Sequence, residues 1–305
     1  MQENEETAED RRSPSFKMAS FQAQLKTIQP EAESLPRKFS ATAPVIEITN
    51  VVKKYGSFTA LSGLDLRVMS GEVYGLLGPN GAGKSTLIKI MTGLIPPTSG
   101  SVRIMGHDVA SDPIQVKSEI GYVPETSLLY DSLSPRDLFE FITSVRKVDP
   151  AKANERATKL AEAFGLAEYY DSPIATLSMG TKQKVTIIAS MLHDPPLLLL
   201  DEAMNGLDVK SNRVLKDLIS LHVEQNHGSV LFSTHIMEVA EHICTRIGII
   251  YGGRIVAEGS LEELRGKASE GTASTLEEVF LRLTHEEEEV EETARTLREA
   301  FPIGK

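Results

Sequence analysis

The segment that most constrains this chain is Gly78-Pro79-Asn80-Gly81-Ala82-Gly83-Lys84-Ser85. It succeeds the apolar run Glu72-Val73-Tyr74-Gly75-Leu76-Leu77 and opens the helical run Ser85 to Met91. The pattern G-x-x-x-x-G-K-[ST] between a strand and a helix is the form of a phosphate cradle. Its glycines let backbone N–H groups wrap phosphate oxygens, and the helix N-terminus adds a favourable dipole. Lys84 brings positive charge to the β- and γ-phosphates, and Ser85 offers a hydroxyl to Mg²⁺. A plain glycine turn is the alternative, and Lys84-Ser85 weigh against it.

The rest of the chain supplies the scaffold such a loop needs. Val45-Ile46-Glu47-Ile48 and Leu64 to Val68 alternate as half-buried strands do. Ile120 to Val123, Leu197 to Leu200, Val230 to Ser233 and Ile247 to Tyr251 are short apolar runs suited to buried strands. Helical stretches separate them, which predicts an α/β fold with a mostly parallel sheet. From about 134 to 192 only helices are expected, including Pro135 to Val145 and Ala151 to Phe164.

Leu197-Leu198-Leu199-Leu200-Asp201-Glu202 adds chemistry. A strand buried on both faces delivers Asp201 to the carboxyl edge of the sheet, where ligands bind in such folds. Asp201 is placed to hold a Mg²⁺ shell, and Glu202 to orient and deprotonate an attacking water. Taken alone the motif reads equally as an acidic strand end.

Between these two motifs lies Leu177-Ser178-Met179-Gly180, ahead of a helix over Thr181 to Met191. Together the three motifs resemble the nucleotide-binding domains of ABC transporters over roughly Val45 to Thr284. That family's signature is Leu-Ser-Gly-Gly-Gln; here Met179 and Thr181 depart from it, whereas Leu177, Ser178 and Gly180 keep it. The resemblance implies a P-loop NTPase core with an antiparallel β-subdomain and an inserted helical subdomain. It implies that Tyr55 stacks on adenine, and that the loop residues from Gly78 to Ser85, with Thr86, bind ATP. Glu202 becomes the catalytic base, Lys84 and His235 contacts of the γ-phosphate, and Ser85 and Asp201 Mg²⁺ ligands. Ser178 and Gly180 close over the ATP of a facing protomer, and Asn205-Gly206-Leu207-Asp208 crosses the dimer interface. Where most of the family has glutamine, this chain has Glu125, which still orders water near Mg²⁺. Gly-Tyr-x-Pro-Glu and the stretch Thr275 to Phe280 resemble the branch that exports drugs, ions and polysaccharides.

The implied partners are a second ATPase subunit and a membrane-spanning permease on a separate chain, because no apolar run approaches the ~20 residues of a span. The chain is then expected in the cytoplasm, peripheral on the inner face of the cell membrane. Leu128-Leu129-Tyr130 either faces the permease or tucks into its own domain. The net charge of −11 argues against a nucleic-acid partner. The single cysteine, Cys244, excludes an intrachain disulfide and is read as a buried thiol on a helix. Residues 1–44 are polar and aperiodic and are expected to form a mobile tail, with Met18 a possible second start. Residues 45–285 are expected to form the ATPase domain and 286–305 an acidic helix, with an apolar seam at Val290, Ala294, Leu297 and Phe301. Two rivals remain: an ABC-type ATPase of translation or repair that acts without a membrane partner, and a binding module that has lost hydrolysis.

Overall fold

The computed structural model describes residues 43–226, 228–268 and 275–284, with 293, 295 and 296. The expected tail up to residue 42 and the seam residues Val290, Ala294, Leu297 and Phe301 lie outside these residues.

β1 (Pro44–Tyr55) and β2 (Phe58–Met69) pair antiparallel across a turn at Gly56, whose φ of 59° suits glycine. β3 (Val73–Leu77) is buried at every residue and leads through the glycine loop into α1 (Lys84–Met91). β4 (Ser99–Ile104) and β5 (His107–Asp108) then complete an antiparallel sheet of order β2-β1-β4-β5. After α2 (Pro113–Glu119) comes β6 (Ile120–Val123).

Three α-helices come next. α3 (Pro135–Arg146) starts at a capping box: Ser134 Oγ accepts from Asp137 N at 3.1 Å, and Ser134 N donates to Asp137 Oδ2 at 3.0 Å. α4 (Pro150–Ala163) is capped by Asp149, which accepts from Lys152 N at 2.9 Å. Both have proline at the first position, where no amide partner is lost. α5 (Met179–Met191) starts two residues earlier than the sequence predicted, because Ser178 caps it.

The chain re-enters the sheet with β7 (Leu197–Asp201), whose four leucines are each at most 2% exposed. Burial of each contributes roughly 2 kcal/mol, which makes this strand a fixed mount for the acidic pair at its carboxyl end. Then come α6 (Val209–Asn226), β8 (Ser229–Thr234), α7 (Met237–Ile243), β9 (Arg246–Tyr251), β10 (Arg254–Gly259), α8 (Leu261–Ala268) and α9 (Leu276–Thr284). The second sheet has the order β10-β9-β3-β8-β7-β6, parallel except for the β9–β10 pair.

One cluster, with Ile46, Leu61, Leu76, Ile88 and Leu199, joins both sheets to α1. Another seats Leu276, Val279 and Phe280 of α9 against Leu77, Ala240 and Ile249. One expectation is corrected. Cys244 is not helical: it lies just past α7 in extended backbone, packed beneath Gly75, and burial pushes its thiol up to about 12. Of the two readings open for Leu128-Leu129-Tyr130, tucking into the domain does not hold for Leu128 (89% exposed) or the exposed Tyr130, while Leu129 is half-buried.

Candidate nucleotide-binding site

In the parallel sheet, β3, β8, β7 and β6 are neighbours in that order, so their carboxyl ends form one edge. Register keeps those ends flush: Leu77 pairs with Thr234, Asp201 with Ser233 and Val123 with Leu200. Lys84, His235, Glu202 and Glu125 come just after these strands, which is how residues far apart in sequence meet.

The glycine loop is shaped by what surrounds it. A Cβ at Gly83 would lie 2.8 Å from Ala60 O, and one at Gly78 would strike the carbonyl of Ile250. Gly83 also holds φ 111°, a conformation open mainly to glycine. Gly253 N donates to Ala82 O at 3.1 Å, tying the loop to the β9–β10 turn. Lys84, 5% exposed, donates to Gly78 O at 2.6 Å and Pro79 O at 3.2 Å. Its ammonium lies 3.3 Å from Glu202 Oε1, an ion pair with both side chains buried.

Behind the loop, Asp201 Oδ1 accepts from Ser85 Oγ at 3.1 Å and from Ser233 Oγ at 2.7 Å. Burial raises the Asp201 pKa above the usual carboxylate value; the two hydroxyls oppose that, while Glu125 and Glu202 push it further up. Glu202 is 6% exposed and holds φ 49°, a strained value for a side-chain-bearing residue. Its Oε2 meets His235 Nδ1 at 3.0 Å, and its backbone N donates to Ser233 Oγ at 3.1 Å.

A cleft of about 320 Å³ opens over this edge. Tyr55, Pro79, Asn80, Gly81, Gly83, Lys84, Ser85, Thr86, Glu125 and Glu202 line it, together with Phe58 and Ala60. Gly78 and Ala82 lie within the loop's buried backbone, while Asp201 and His235 reach the cleft through Ser85 and Glu202. Tyr55 is 47% exposed, which rules out a core role, and Lys53 Nζ stands 5.1 Å from its ring centroid. Ser178 and Gly180 do not line the cleft. They start α5, where a Cβ on Gly180 would lie 2.5 Å from Gly206 O and Ser178 Oγ contacts Thr181 Oγ1 at 2.8 Å.

Sequence reasoning missed Phe58 and the bridging role of Ser233. Phe58 pairs with Tyr55 across the β1–β2 turn, so the two-residue spacing of a hairpin could have revealed it. Ser233 had no local signal, because only the parallel register places it against Asp201.

A parallel sheet carrying a phosphate loop, with paired carboxylates at its carboxyl edge, defines a nucleotide-binding P-loop protein. The family profile described as ABC transporter matches residues 61–205. The linearmycin resistance ATP-binding protein LnrL of Bacillus subtilis is 34% identical over 78% of each chain. The probable multidrug ABC transporter ATP-binding protein YbhF of Escherichia coli is 35% identical over 79% of this chain, which spans 42% of YbhF. A solved ATP-binding subunit of an ABC transporter superposes with TM-score 0.72 at 31% identity, covering 79% of this chain and 99% of that one. The dimeric ATP-binding cassette MJ0796, bound to ADP and Pi, gives 0.65 at 26% identity, over 71% of this chain and 98% of that one. The chain belongs to the ABC transporter family, among its ATP-binding proteins.

Proposed function

We propose that this chain binds and hydrolyses ATP to power an ABC transporter of the exporting type. One observation carries the reading: Lys84 of the phosphate loop and the buried Glu202 face each other at 3.3 Å in one cleft. In this reading phosphate oxygens entering the loop compete with the Gly78 and Pro79 carbonyls for the Lys84 ammonium. Glu202, aimed by His235 and by the hydroxyl of Ser233, accepts a proton from the attacking water. The remaining contribution is placement and charge rather than covalent chemistry.

Mg²⁺ suits the donors present. Ser85 Oγ and Asp201 Oδ1 are hard oxygens 3.1 Å apart, and the buried carboxylate gains from a neighbouring cation. Glu125, on the cleft wall, is the further oxygen donor. Among the described residues no group of three His, Cys, Asp or Glu side chains could hold a metal ion by itself, so nucleotide oxygens and water would complete the shell. Such an ion supplies charge neutralisation at the phosphates.

Ser178 and Gly180 lie outside this cleft, which supports a head-to-tail dimer in which each copy completes the other's site. The dimer in the structural relative, and the names linearmycin resistance for LnrL and probable multidrug ABC transporter for YbhF, favour the same reading. Among the described residues no helix is long and apolar enough to cross a membrane, so a separate permease would carry the cargo. The exposed Leu128 and Tyr130, the latter edge-on to Phe141 at 5.9 Å, form the surface on which it would dock, at the inner face of the membrane.

Glu202→Gln tests the reading. ATP binding should persist, turnover should fall about 100-fold or more, and an ATP-bound dimer should accumulate in size-exclusion chromatography. Turnover at the parental rate would remove Glu202 from the role of base. Loss of turnover with no ATP-dependent dimer would remove the shared-site arrangement.

A further inference from the structure

Gln183 has no part in the chemistry proposed for the cleft, yet it is 4% exposed and lies about one helical turn past Ser178 and Gly180 on α5. Its amide makes two unlike contacts. Oε1 accepts from Ser127 Oγ at 2.6 Å, and Nε2 donates to Ala203 O at 3.3 Å. Thr186 Oγ1, one turn further along, donates to the same Ser127 hydroxyl at 2.9 Å. Ser127 stands two residues past the cleft-lining Glu125, and Ala203, fully buried, is the residue after Glu202. One side chain therefore joins both carboxylate-bearing walls of the cleft to the helix that carries the signature residues.

We propose that Gln183 is a positioning residue: its amide fixes the Glu202 and Glu125 segments to α5, so that movement of the signature end of the helix reaches the base of the same chain. The inference rests on the ATPase function proposed for this chain. Bridging requires one donor and one acceptor on a single side chain, which an amide supplies. The peptide after Glu202 depends on such a tether because Glu202 sits in left-handed backbone, which relaxes when unsupported.

The test compares full-length parental protein with Gln183→Met, Gln183→Glu, Ser127→Ala and the Gln183→Met/Ser127→Ala pair, reading kcat, KM for Mg·ATP and thermal midpoint. Gln183→Met should lower kcat about tenfold and leave KM within about twofold. Ser127→Ala should lower kcat less, and the pair should be no slower than Gln183→Met alone, as expected of one connected unit. Gln183→Glu should regain kcat as pH falls, because a protonated acid again donates to Ala203 O; the parental profile lacks that rise. Folded Gln183→Met with kcat within about twofold of parental, or effects that multiply in the pair, would overturn the role. A lowered thermal midpoint with unchanged kcat would make Gln183 a packing residue only. Parental protein without Mg·ATP turnover would instead sink the ATPase reading itself, and this inference with it.

Discussion

At the scale of single residues, the site is a set of tethers around a strained base. Glu202 is held by Lys84 from α1 and by Ser233 and His235 from the end of β8 and the residue just past it, so two segments fix its position. Asp201 bears the opposite burden. Its raised pKa means that its ionised form opposes folding, so this contribution to stability falls as pH rises through the shifted value. A bound cation would offset that loss. The aromatic pair at the cleft mouth gives a direct prediction. Tyr55→Ala should raise the KM for ATP by about tenfold or more, given base-stacking energies of roughly 1–3 kcal/mol, with kcat nearly unchanged. Phe58→Ala should do so more weakly, since Tyr55 carries the cation of Lys53 over its ring. Titration with a fluorescent ATP analogue measures both.

At the scale of elements, α6 contains a pH-sensitive packing defect. His222 is 1% exposed, neither ring nitrogen has a hydrogen-bond partner among the described residues, and burial depresses its pKa to about 4. Asp194 pulls that value up and Arg156 pulls it further down. Between the ordinary value of 6.5 and about 4 the unfolded chain holds a proton that the folded chain refuses. Stability should therefore decline by about 3 kcal/mol as pH falls through that window. His222→Leu should flatten the decline in urea midpoints measured from pH 7 to 4.5. The elements themselves were largely legible beforehand, since β3, β6, β7, β8 and β9 are compact apolar runs. β4 was not, because Ser99-Gly100-Ser101 is polar and held by pairing with β1. β10 was hidden likewise: it is an exposed antiparallel edge without apolar alternation. Of the site, the loop and Asp201-Glu202 announced themselves by spacing, whereas Phe58, Ser233 and Gln183 emerge only from register and packing.

For the whole molecule, the proposed dimer turns Met179 from an oddity into a probe. It replaces the family's glycine, is 76% exposed, and its methyl group lies 3.3 Å from where a Cβ on Gly206 would stand. Met179→Glu in the Glu202→Gln background should reduce the ATP-dependent dimer about tenfold and leave the monomer's thermal midpoint unchanged. Equal dimer yield at matched protein concentration would place the interface elsewhere. The phosphate loop carries a different implication at this scale. Ala60 of the antiparallel sheet presses on Gly83, and Ile250 of the parallel sheet presses on Gly78, while Gly253 grips Ala82 from the turn beyond β9. The cradle is thus a keystone between two sheets. Its curvature is an angle-gauge for the whole chain, so a substitution that tilts one sheet against the other should change nucleotide affinity from a distance.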